Sequence, residues 1–321
     1  MKWSRELRIA RRSLRTAVKA ASAIASAQLK PSAGPWSMPL AAEADAEFTV
    51  IKDFGSNPGR LAMLLRQPAQ GLAPAAPLIV LLHGCGQSAL AFARVSGWIA
   101  IADRLGIPLL LPEQSDENNH GRCFNWFRPT QTARGFGEAR SIGQMVGTAI
   151  RRCDLDPRRI YVAGLSAGGA MAAALMAAYP DVFAAGAVVA GLPVGAAGST
   201  GEALRRMAEA GPERSPSAWA EQVRRVAPLE YRGPWPRLSV WHGDADRVVD
   251  PRNASLLAIQ WASLHGLDAA ALAMTDVGGT RHECWMSNGQ PMVECWRLPA
   301  LGHDWPAMAA ENITTFWGID G

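Results

Sequence analysis

The chain has 321 residues, about half of them apolar and 19% charged, so it is long enough to bury one large core or two small ones. Pro, Gly or a charge interrupts every apolar run before the roughly 18 residues that a membrane-spanning helix requires, so we expect a soluble protein. The net charge of +4 is concentrated near the N-terminus. No basic stripe with interleaved aromatic residues recurs in the body of the chain, which argues against nucleic-acid binding.

The N-terminal segment, residues 1–30, carries eight Lys or Arg and a single acid. Its apolar residues recur from Trp3 to Ile24 at alternating steps of four and three, which predicts a basic amphipathic helix. Such a helix can contact an anionic membrane or a hydrophobic particle, and the alternative is a solvated or partly disordered extension. As an export signal the segment is a poor match, because Lys19 interrupts its apolar part. Residues 31–45, rich in Pro, Ala and Ser, are predicted to be a linker.

Residues 46–321 alternate predicted strands and helices, which favours a mostly parallel sheet with helices on both faces. Residues from about 200 to 235 are polar and helix-prone, and are predicted to form a small cap over the carboxyl edge of the sheet or a peripheral excursion. The predicted elements begin with an antiparallel strand pair around the turn at 56–59, a strand in APLIVLLHGCG, a helix to Leu105 and a strand in IPLLLPEQ. A helix over 138–153, a strand over 159–163 and a helix after Ser166 follow. The last predicted elements are strands in AAGAVVAGLP and PRLSVWHG, a helix ending at Gly266, a hairpin in ECWMSNGQPMVECWRLP and a helix in AAENITTFWG.

The segment Gly164-Leu165-Ser166-Ala167-Gly168 fits the G-x-S-x-G pattern between a buried strand and a helix. In such an elbow the serine lies on a sharp turn, and the flanking glycines avoid a collision between a Cβ and the neighbouring strand or helix. We therefore predict that Ser166 is a nucleophile rather than only a helix N-cap. The oxyanion formed by its attack needs two donors, and the sequence offers the backbone amides of Ala167 and of Cys85, which follows the first buried strand.

A serine nucleophile needs a histidine base and a carboxylate, which in this architecture follow it in the order acid, then histidine. His303 lies in a glycine-flanked loop after the last strand and is the predicted base. His242 on a strand is interpreted as structural, His265 as a favourable cation at a helix end, and His282 as a surface residue. Position in the chain leaves the acid open among three aspartates just beyond a strand: Asp244, Asp246 and Asp250.

The five cysteines fit no zinc-binding pattern, and their odd number leaves at least one unpaired within the chain. Cys284 and Cys295 flank Asn288-Gly289, a strong hairpin-turn dipeptide. A four-residue loop over 288–291 would place the two cysteines opposite each other, whereas the tighter Asn-Gly turn would offset them by two residues. The pattern therefore permits a disulfide without requiring one.

Several motifs now form a recognisable series: LLHGCGQ, CFNWF, the long segment around Ser166, WHGDADRVVDPRNA, QW and LGHDWP. From about residue 45 to residue 317, the chain resembles the catalytic domain of the polyhydroxybutyrate (PHB) depolymerase family of esterases, which are α/β-hydrolases related to feruloyl and acetylxylan esterases. The resemblance implies an α/β-hydrolase fold with Ser166 as the nucleophile, Asp246 as the acid and His303 as the base. It also implies that Cys85 lies at the oxyanion hole.

The resemblance also implies a disulfide between Cys85 and Cys123. That pairing leaves Cys284 with Cys295 as a second candidate bridge and Cys153 free. Disulfides persist in oxidising compartments, so an extracellular or periplasmic location is favoured even though the signal peptide is poor.

Two tryptophans stand where the resemblance places the substrate groove. Trp126 lies in the N-W-F motif and Trp305 follows His303, and flat aromatic faces suit ester chains or aryl groups. Core packing is the competing interpretation of each. Asp304 and Ala307 depart from the family pattern beside the base, which can alter the groove there.

We therefore expect a serine esterase that needs no metal and no organic cofactor. Because the chain ends one helix after His303, without the separate substrate-binding domain of many depolymerases of solid polymer, we expect short PHB-type hydroxyalkanoate oligomers or small esters as substrates. A feruloyl or acetylxylan esterase is the alternative within the same chemistry, and a peptidase is disfavoured by the motifs. A non-catalytic polymer-surface binding protein on a hydrolase scaffold, held by residues 1–30, is the alternative from another class.

Overall fold

The computed structural model describes residues 47–267, 272–277 and 279–320. The predicted basic helix at residues 1–30 and the linker at 31–45 lie outside the described residues. All described residues belong to one compact unit. Across these ranges, no helix combines the length and apolarity needed to cross a membrane.

A ten-stranded sheet runs through the described residues in the order β1-β2-β4-β3-β5-β6-β7-β10-β9-β8. The six strands from β4 to β10 in this order are parallel, while β1 and β2 at one edge and β9 and β8 at the other pair antiparallel. The predicted mostly parallel sheet is confirmed. The strands are β1 (Thr49–Ile51), β2 (Ala62–Arg66), β3 (Leu78–Leu82), β4 (Leu109–Glu113), β5 (Ile160–Leu165), β6 (Ala185–Val189), β7 (Arg237–Gly243), β8 (Leu272–Val277), β9 (Thr280–Ser287) and β10 (Gln290–Leu298).

Helices cover both faces of the sheet, because the central strands bury side chains on both sides. In β3, Leu78, Val80 and Leu82 pack into one core, while Ile79 and Leu81 pack into the other. Helices α4, α5, α7 and α8 enclose the first core, and α1, α2 and α9 enclose the second. The helices are α1 (Ala89–Val95), α2 (Trp98–Leu105), α3 (Pro129–Thr132), α4 (Gly137–Cys153), α5 (Ala167–Ala178), α6 (Thr200–Ala208), α7 (Pro216–Arg224), α8 (Arg252–Leu264) and α9 (Ala309–Trp317).

Two local features differ from the sequence-based expectation. The helix predicted to run to Leu105 is broken into α1 and α2, because Gly97 adopts a φ of 81° that a right-handed helix does not contain. Strand β8 was not predicted. Its residues from Ala273 to Asp276 are all exposed, so no alternating apolar pattern marks it, and it forms by pairing with β9.

The predicted cap at about 200–235 contains α6 and α7, which have different surroundings. In α7, Trp219 and Val223 are fully buried, and the Gln260 side chain of α8 donates to the Trp219 carbonyl at 3.0 Å. Helix α7 therefore belongs to the helical layer. The end of α6 lies beside the loop after β7, where the Asp250 amide donates to the Met207 carbonyl at 2.7 Å. A cap over the carboxyl edge remains a prediction for α6.

The hairpin β9–β10 turns at Asn288-Gly289, whose φ values of 49° and 77° match a tight two-residue turn. A register shift after Pro291 then pairs Cys284 with Glu294, the residue before Cys295. Successive residues of a strand point to opposite faces, so the two thiols lie on opposite sides of the sheet. The candidate Cys284–Cys295 bridge is therefore not formed, and both cysteines are free.

Candidate active site

Ser166 occupies the sharp turn between β5 and α5, with a φ of 57° that few residues other than glycine adopt. Its amide donates to the Val189 carbonyl of the neighbouring strand at 2.8 Å. A Cβ at Gly168 would lie 2.2 Å from the Leu82 carbonyl oxygen, and one at Gly164 would lie 2.3 Å from the Gly168 carbonyl oxygen. The turn thus requires both glycines of the motif.

The predicted base and acid meet this serine at the carboxyl edge of the sheet. Ser166 follows β5, Asp246 follows β7 and His303 follows β10, and these strands are parallel, so their following loops lie at the same edge. The Ser166 hydroxyl lies 2.9 Å from His303 Nε2, and His303 Nδ1 lies 2.7 Å from Asp246 Oδ2. The structure therefore brings together the three side chains selected from the sequence.

The loops that carry the acid and the base touch through their backbones. The Ala245 amide donates to the Leu301 carbonyl at 3.0 Å. A Cβ at Gly243 would lie 2.0 Å from that same carbonyl oxygen, so only glycine allows the two loops to approach this closely. The spacing between Asp246 and His303 thus depends on a glycine at the end of β7.

Asp246 is held as a carboxylate by four hydrogen bonds. Its Oδ1 accepts from the Val248 and Val249 amides at 2.7 and 3.0 Å, and its Oδ2 accepts from His303 and, at 3.0 Å, from His242. Burial favours the neutral acid, but the hydrogen bonds from His242 and His303 outweigh it and hold the pKa of Asp246 well below its usual range. A permanent negative charge is therefore fixed beside His303.

His242 contributes to this acid more directly than its strand position suggested. Its side chain is fully buried, and its Nε2 faces both Asp246 Oδ2 at 3.0 Å and the Val249 carbonyl at 3.1 Å. Because two acceptors face Nε2, this nitrogen carries the hydrogen, an assignment made from the hydrogen-bond pattern. The sequence interpretation missed this contact, although the spacing of four residues between His242 and the acid was a usable signal.

The other two candidate aspartates make different contacts. Asp244 pairs with Arg297, whose Nε lies 2.7 Å from its Oδ1. Asp250 pairs with Arg252 at 2.6 Å and accepts the Ala210 amide at 3.1 Å. Their carboxylates are thus engaged at the surface and at the start of α8, and Asp246 is the aspartate of the three that contacts His303.

The loop after β3 is fixed by His83 and by a disulfide. His83 Nδ1 donates to the Gly84 carbonyl at 2.8 Å, and its Nε2 accepts the Gln114 amide at 3.1 Å. Burial lowers the pKa of His83 to about 4, so the ring is neutral at neutral pH and can accept. The disulfide predicted from the resemblance is present and joins Cys85 to Cys123.

Two backbone amides remain the candidates for the oxyanion hole. Ala167 is the first residue of α5, where amides have no partner within the helix. On the other side, the amides flanking Cys85 are used internally: that of Gly84 donates to the Gln87 side chain and that of Gly86 to the Gly121 carbonyl, each at 2.8 Å. The amides of Ala167 and Cys85 are thus the predicted pair.

The N-W-F segment is anchored by a buried carboxylate that the sequence interpretation missed. Glu138, at the start of α4, accepts from the Asn125 amide at 2.8 Å and from the Asn125 side chain at 2.6 Å. The adjacent Trp126 is partly buried and packs with a small apolar cluster comprising Ala170, Leu192, Val249 and Met207. Ala170 follows Ser166 by one helical turn, and the groove position of Trp126 stays a prediction.

Trp305 does not lie in a groove. The residue is 7% exposed, and its ring packs edge-on against Phe92, with ring centroids 5.2 Å apart, inside the core enclosed by α1, α2 and α9. The structure therefore supports the competing interpretation, core packing, and corrects the substrate-binding prediction for Trp305. Being next to His303 in the chain does not place a side chain beside it in space.

Two further histidines also depart from their interpretations. Burial lowers the pKa of His265, whose Nε2 lies 3.3 Å from the Pro236 carbonyl, and so disfavours the cation expected at the end of α8. His282 is not a free surface residue, because it contacts Glu294 at 2.8 Å and stacks on Trp296.

The free energy of unfolding should fall as the pH drops from 6.5 towards 4. The pKa of His83 is about 4 in the folded protein against 6.5 ordinarily, so over this range the unfolded chain binds more protons and stability is lost on acidification. The shift corresponds to about 3 kcal/mol by pH 4. Urea unfolding at several pH values measures this loss of stability. The variant His83→Asn, whose side chain does not titrate, should lose less stability over the same pH range. Equal pH slopes for the two proteins would contradict the assignment.

Comparison with known proteins gives a consistent family. The sequence matches the family model described as Esterase PHB depolymerase over residues 61–285. A poly(3-hydroxyalkanoate) depolymerase C of Paucimonas lemoignei is 40% identical over 260 residues, which are 81% of this chain and 62% of that relative. An acetylxylan esterase of Coprinopsis cinerea is 30% identical over 280 residues, covering 85% of this chain and 73% of the relative.

Among solved structures, an acetyl xylan esterase from Aspergillus awamori superposes with a TM-score of 0.77 at 23% identity, covering 85% of this chain and 99% of that chain. At this identity the likeness shows the fold alone, and the α/β-hydrolase fold expected from the resemblance is confirmed. The match to the depolymerase spans less than two thirds of that relative's length.

Proposed function

Because the chain belongs to the esterase PHB depolymerase family, we propose that it is a serine carboxylic ester hydrolase with Ser166 as nucleophile, His303 as base and Asp246 as acid. The observation that carries the proposal is the hydrogen-bonded series from Ser166 Oγ through His303 to Asp246, with distances of 2.9 and 2.7 Å. A serine hydroxyl becomes an effective nucleophile only when a positioned base can take its proton, and this series supplies that base.

Each proton in the proposed reaction has a defined carrier. His303 Nε2 takes the hydroxyl proton as Ser166 Oγ bonds to the ester carbonyl carbon, and the oxyanion is stabilised by the Ala167 and Cys85 amides. His303 returns the proton to the leaving alkoxide, which departs as the alcohol and leaves an acyl-enzyme. His303 then takes a proton from water as the water oxygen bonds to the acyl carbon, and returns that proton to Ser166 Oγ as the carboxylic acid leaves. The Asp246 carboxylate stabilises the imidazolium that forms in both halves.

For the substrate, we propose short hydroxyalkanoate oligomers of the PHB type or small esters. The 40% identical relative is named as a poly(3-hydroxyalkanoate) depolymerase, which supports an ester of a hydroxy acid. Trp126 and Met207 are only partly buried where they pack against this apolar cluster, and their exposed parts offer a surface suited to short aliphatic chains. The ester bond is then presented to Ser166 by contacts that do not require charge.

The test combines turnover with labelling of the nucleophile. The purified chain should hydrolyse a p-nitrophenyl short-chain ester, and a fluorophosphonate should add one label, located on the Ser166 peptide by mass spectrometry. The Ser166→Ala variant, matched in fold by circular dichroism, should show neither. Absence of both turnover and label in the wild type would reject the enzyme and favour the non-catalytic binding protein.

The runner-up, an acetylxylan or feruloyl esterase, is favoured by the 30% identity to an acetylxylan esterase. Measuring kcat/KM of one enzyme preparation with three substrates distinguishes the two functions. The substrates are a 3-hydroxybutyrate trimer, acetylated xylan and methyl ferulate. The proposal expects the highest kcat/KM for the trimer. A higher value for either plant-type ester would move the substrate assignment to the runner-up without affecting the roles of the three catalytic side chains.

A further inference from the structure

A second group of chemically versatile side chains lies on β9 and β10, outside the esterase site. We propose that His282, Cys284 and Glu294 form a binding site for a divalent transition-metal ion of the zinc type. One potential ligand atom from each residue, nitrogen, sulfur and oxygen respectively, lies within 4.8 Å of the others. The proposal is independent of ester hydrolysis, and its test reads metal binding rather than turnover.

The strand register explains why three residues with no zinc-like spacing in the sequence converge. His282 and Cys284 are two residues apart on β9 and therefore point to the same face of the sheet. Glu294 on β10 is the direct cross-strand partner of Cys284. The register shift after Pro291 is what brings this carboxylate, rather than a neighbour, opposite the thiol.

The distances fit a tetrahedral ion after a small adjustment. With zinc bonds of about 2.3 Å to sulfur and about 2.1 Å to nitrogen and oxygen, tetrahedral angles imply separations of about 3.6 Å for S···N and about 3.4 Å for N···O. Cys284 Sγ lies 3.6 Å from His282 Nε2, as required. His282 Nε2 lies 2.8 Å from Glu294 Oε2, so this pair must open by about 0.6 Å as the metal replaces the hydrogen between them.

The surroundings orient the ligands and leave a route for the ion. Ser239 donates to Glu294 Oε1 at 2.6 Å and accepts from Trp241 Nε1 at 2.7 Å, which fixes the carboxylate with Oε2 facing His282. The His282 ring stacks on Trp296 with centroids 3.7 Å apart. Glu294 is buried, whereas the His282 side chain is 23% exposed, so an ion can enter from solvent.

The donor set selects the class of metal. A thiolate and an imidazole favour zinc or cobalt over magnesium or calcium, which prefer oxygen ligands. Binding requires Cys284 to release its thiol proton to solvent and the neutral His282 to carry its hydrogen on Nδ1, so that Nε2 presents its lone pair. One proton is therefore released per ion, and a water molecule completes the four ligands.

Bound metal should tie β9 to β10 and stabilise the folded chain. Because the three ligands come together only when the hairpin is formed, saturating Zn²⁺ should raise the Tm by about 3 °C or more, and EDTA should reverse the shift. The Tm of Cys284→Ser and of His282→Gln should not respond to Zn²⁺.

The deciding experiment uses Co²⁺ as a spectroscopic probe of the full chain after EDTA treatment and dialysis. The wild type should bind one Co²⁺ with a near-ultraviolet thiolate-to-cobalt charge-transfer band, and Zn²⁺ should displace it. Cys284→Ser should abolish the band, and His282→Gln should weaken binding at least about tenfold. The matched control Cys153→Ser, which removes a free cysteine on α4, should keep the band.

Three results would overturn the proposal. The first is a wild type without the charge-transfer band, in which case His282 and Glu294 are simply a hydrogen-bonded pair. The second is a band that survives Cys284→Ser, and the third is a band that is lost in Cys153→Ser. Circular dichroism confirms that each variant is folded, and since neither His282 nor Cys284 belongs to the proposed esterase machinery, ester hydrolysis can succeed or fail independently.

Discussion

Asp246→Asn should lower kcat by about 10⁴-fold with little change in KM. Asp246 Oδ1 accepts two backbone amides, those of Val248 and Val249, so an asparagine must place its carbonyl oxygen there and its NH₂ group at the Oδ2 position. That NH₂ would then face the N–H groups of His303 and His242. His303 escapes the clash only by moving its hydrogen to Nε2, and in that tautomer it cannot take the proton of Ser166.

Steady-state kinetics with a p-nitrophenyl ester measures the effect, and Asp244→Asn is the matched control. Asp244 lies two residues away in the same loop and pairs with Arg297 rather than with the base, so the same change there should leave kcat within about twofold. A kcat of Asp246→Asn that is still a tenth of the wild-type value would contradict the assignment of Asp246 as the acid. An equal loss of kcat in Asp246→Asn and Asp244→Asn would contradict it too.

These two aspartates also show where sequence reasoning stops. Position after a strand selected Asp244, Asp246 and Asp250 equally, because loop aspartates share the same turn-forming chemistry. The resemblance to a family singled out Asp246. The physical distinction lies in the contacts that the loop backbone allows. Two backbone amides donate to the Asp246 carboxylate, whereas the carboxylates of Asp244 and Asp250 pair with Arg297 and Arg252.

The fold was easier to predict from the sequence than the site, because buried strands leave a pattern of apolar residues. Central strands such as β3 are buried on both faces, so their near-continuous apolar runs are visible in the sequence. Strand β8 lies at the sheet edge with exposed residues, so its pairing with β9 leaves no such pattern. The positions of Trp305 and His282 depend on contacts between distant segments, which neither periodicity nor motif spacing encodes.

Removal of the disulfide by Cys123→Ala should affect both stability and turnover. The bond closes a loop with a sequence separation of 38 residues, for which the chain-entropy model gives about 4 kcal/mol of stabilisation. It also ties Cys85, whose amide is a proposed oxyanion donor, to the segment before Trp126. Loss of one such donor lowers kcat by about 10²- to 10³-fold. Because the freed loop still carries the Cys85 amide, we expect a loss of about 10²-fold, at the lower end of that range.

Urea unfolding and steady-state kinetics measure the two effects separately, and Cys153→Ala is the matched control because it removes a cysteine that forms no disulfide. Wild-type protein treated with dithiothreitol should reproduce the Cys123→Ala values, since both remove the same bond. A loss of stability at unchanged kcat would mean that the hydrogen bonds of His83 to Gly84 and Gln114 are enough to hold the Cys85 amide in place. A parallel loss of both would show that the covalent link is needed to position the oxyanion donor.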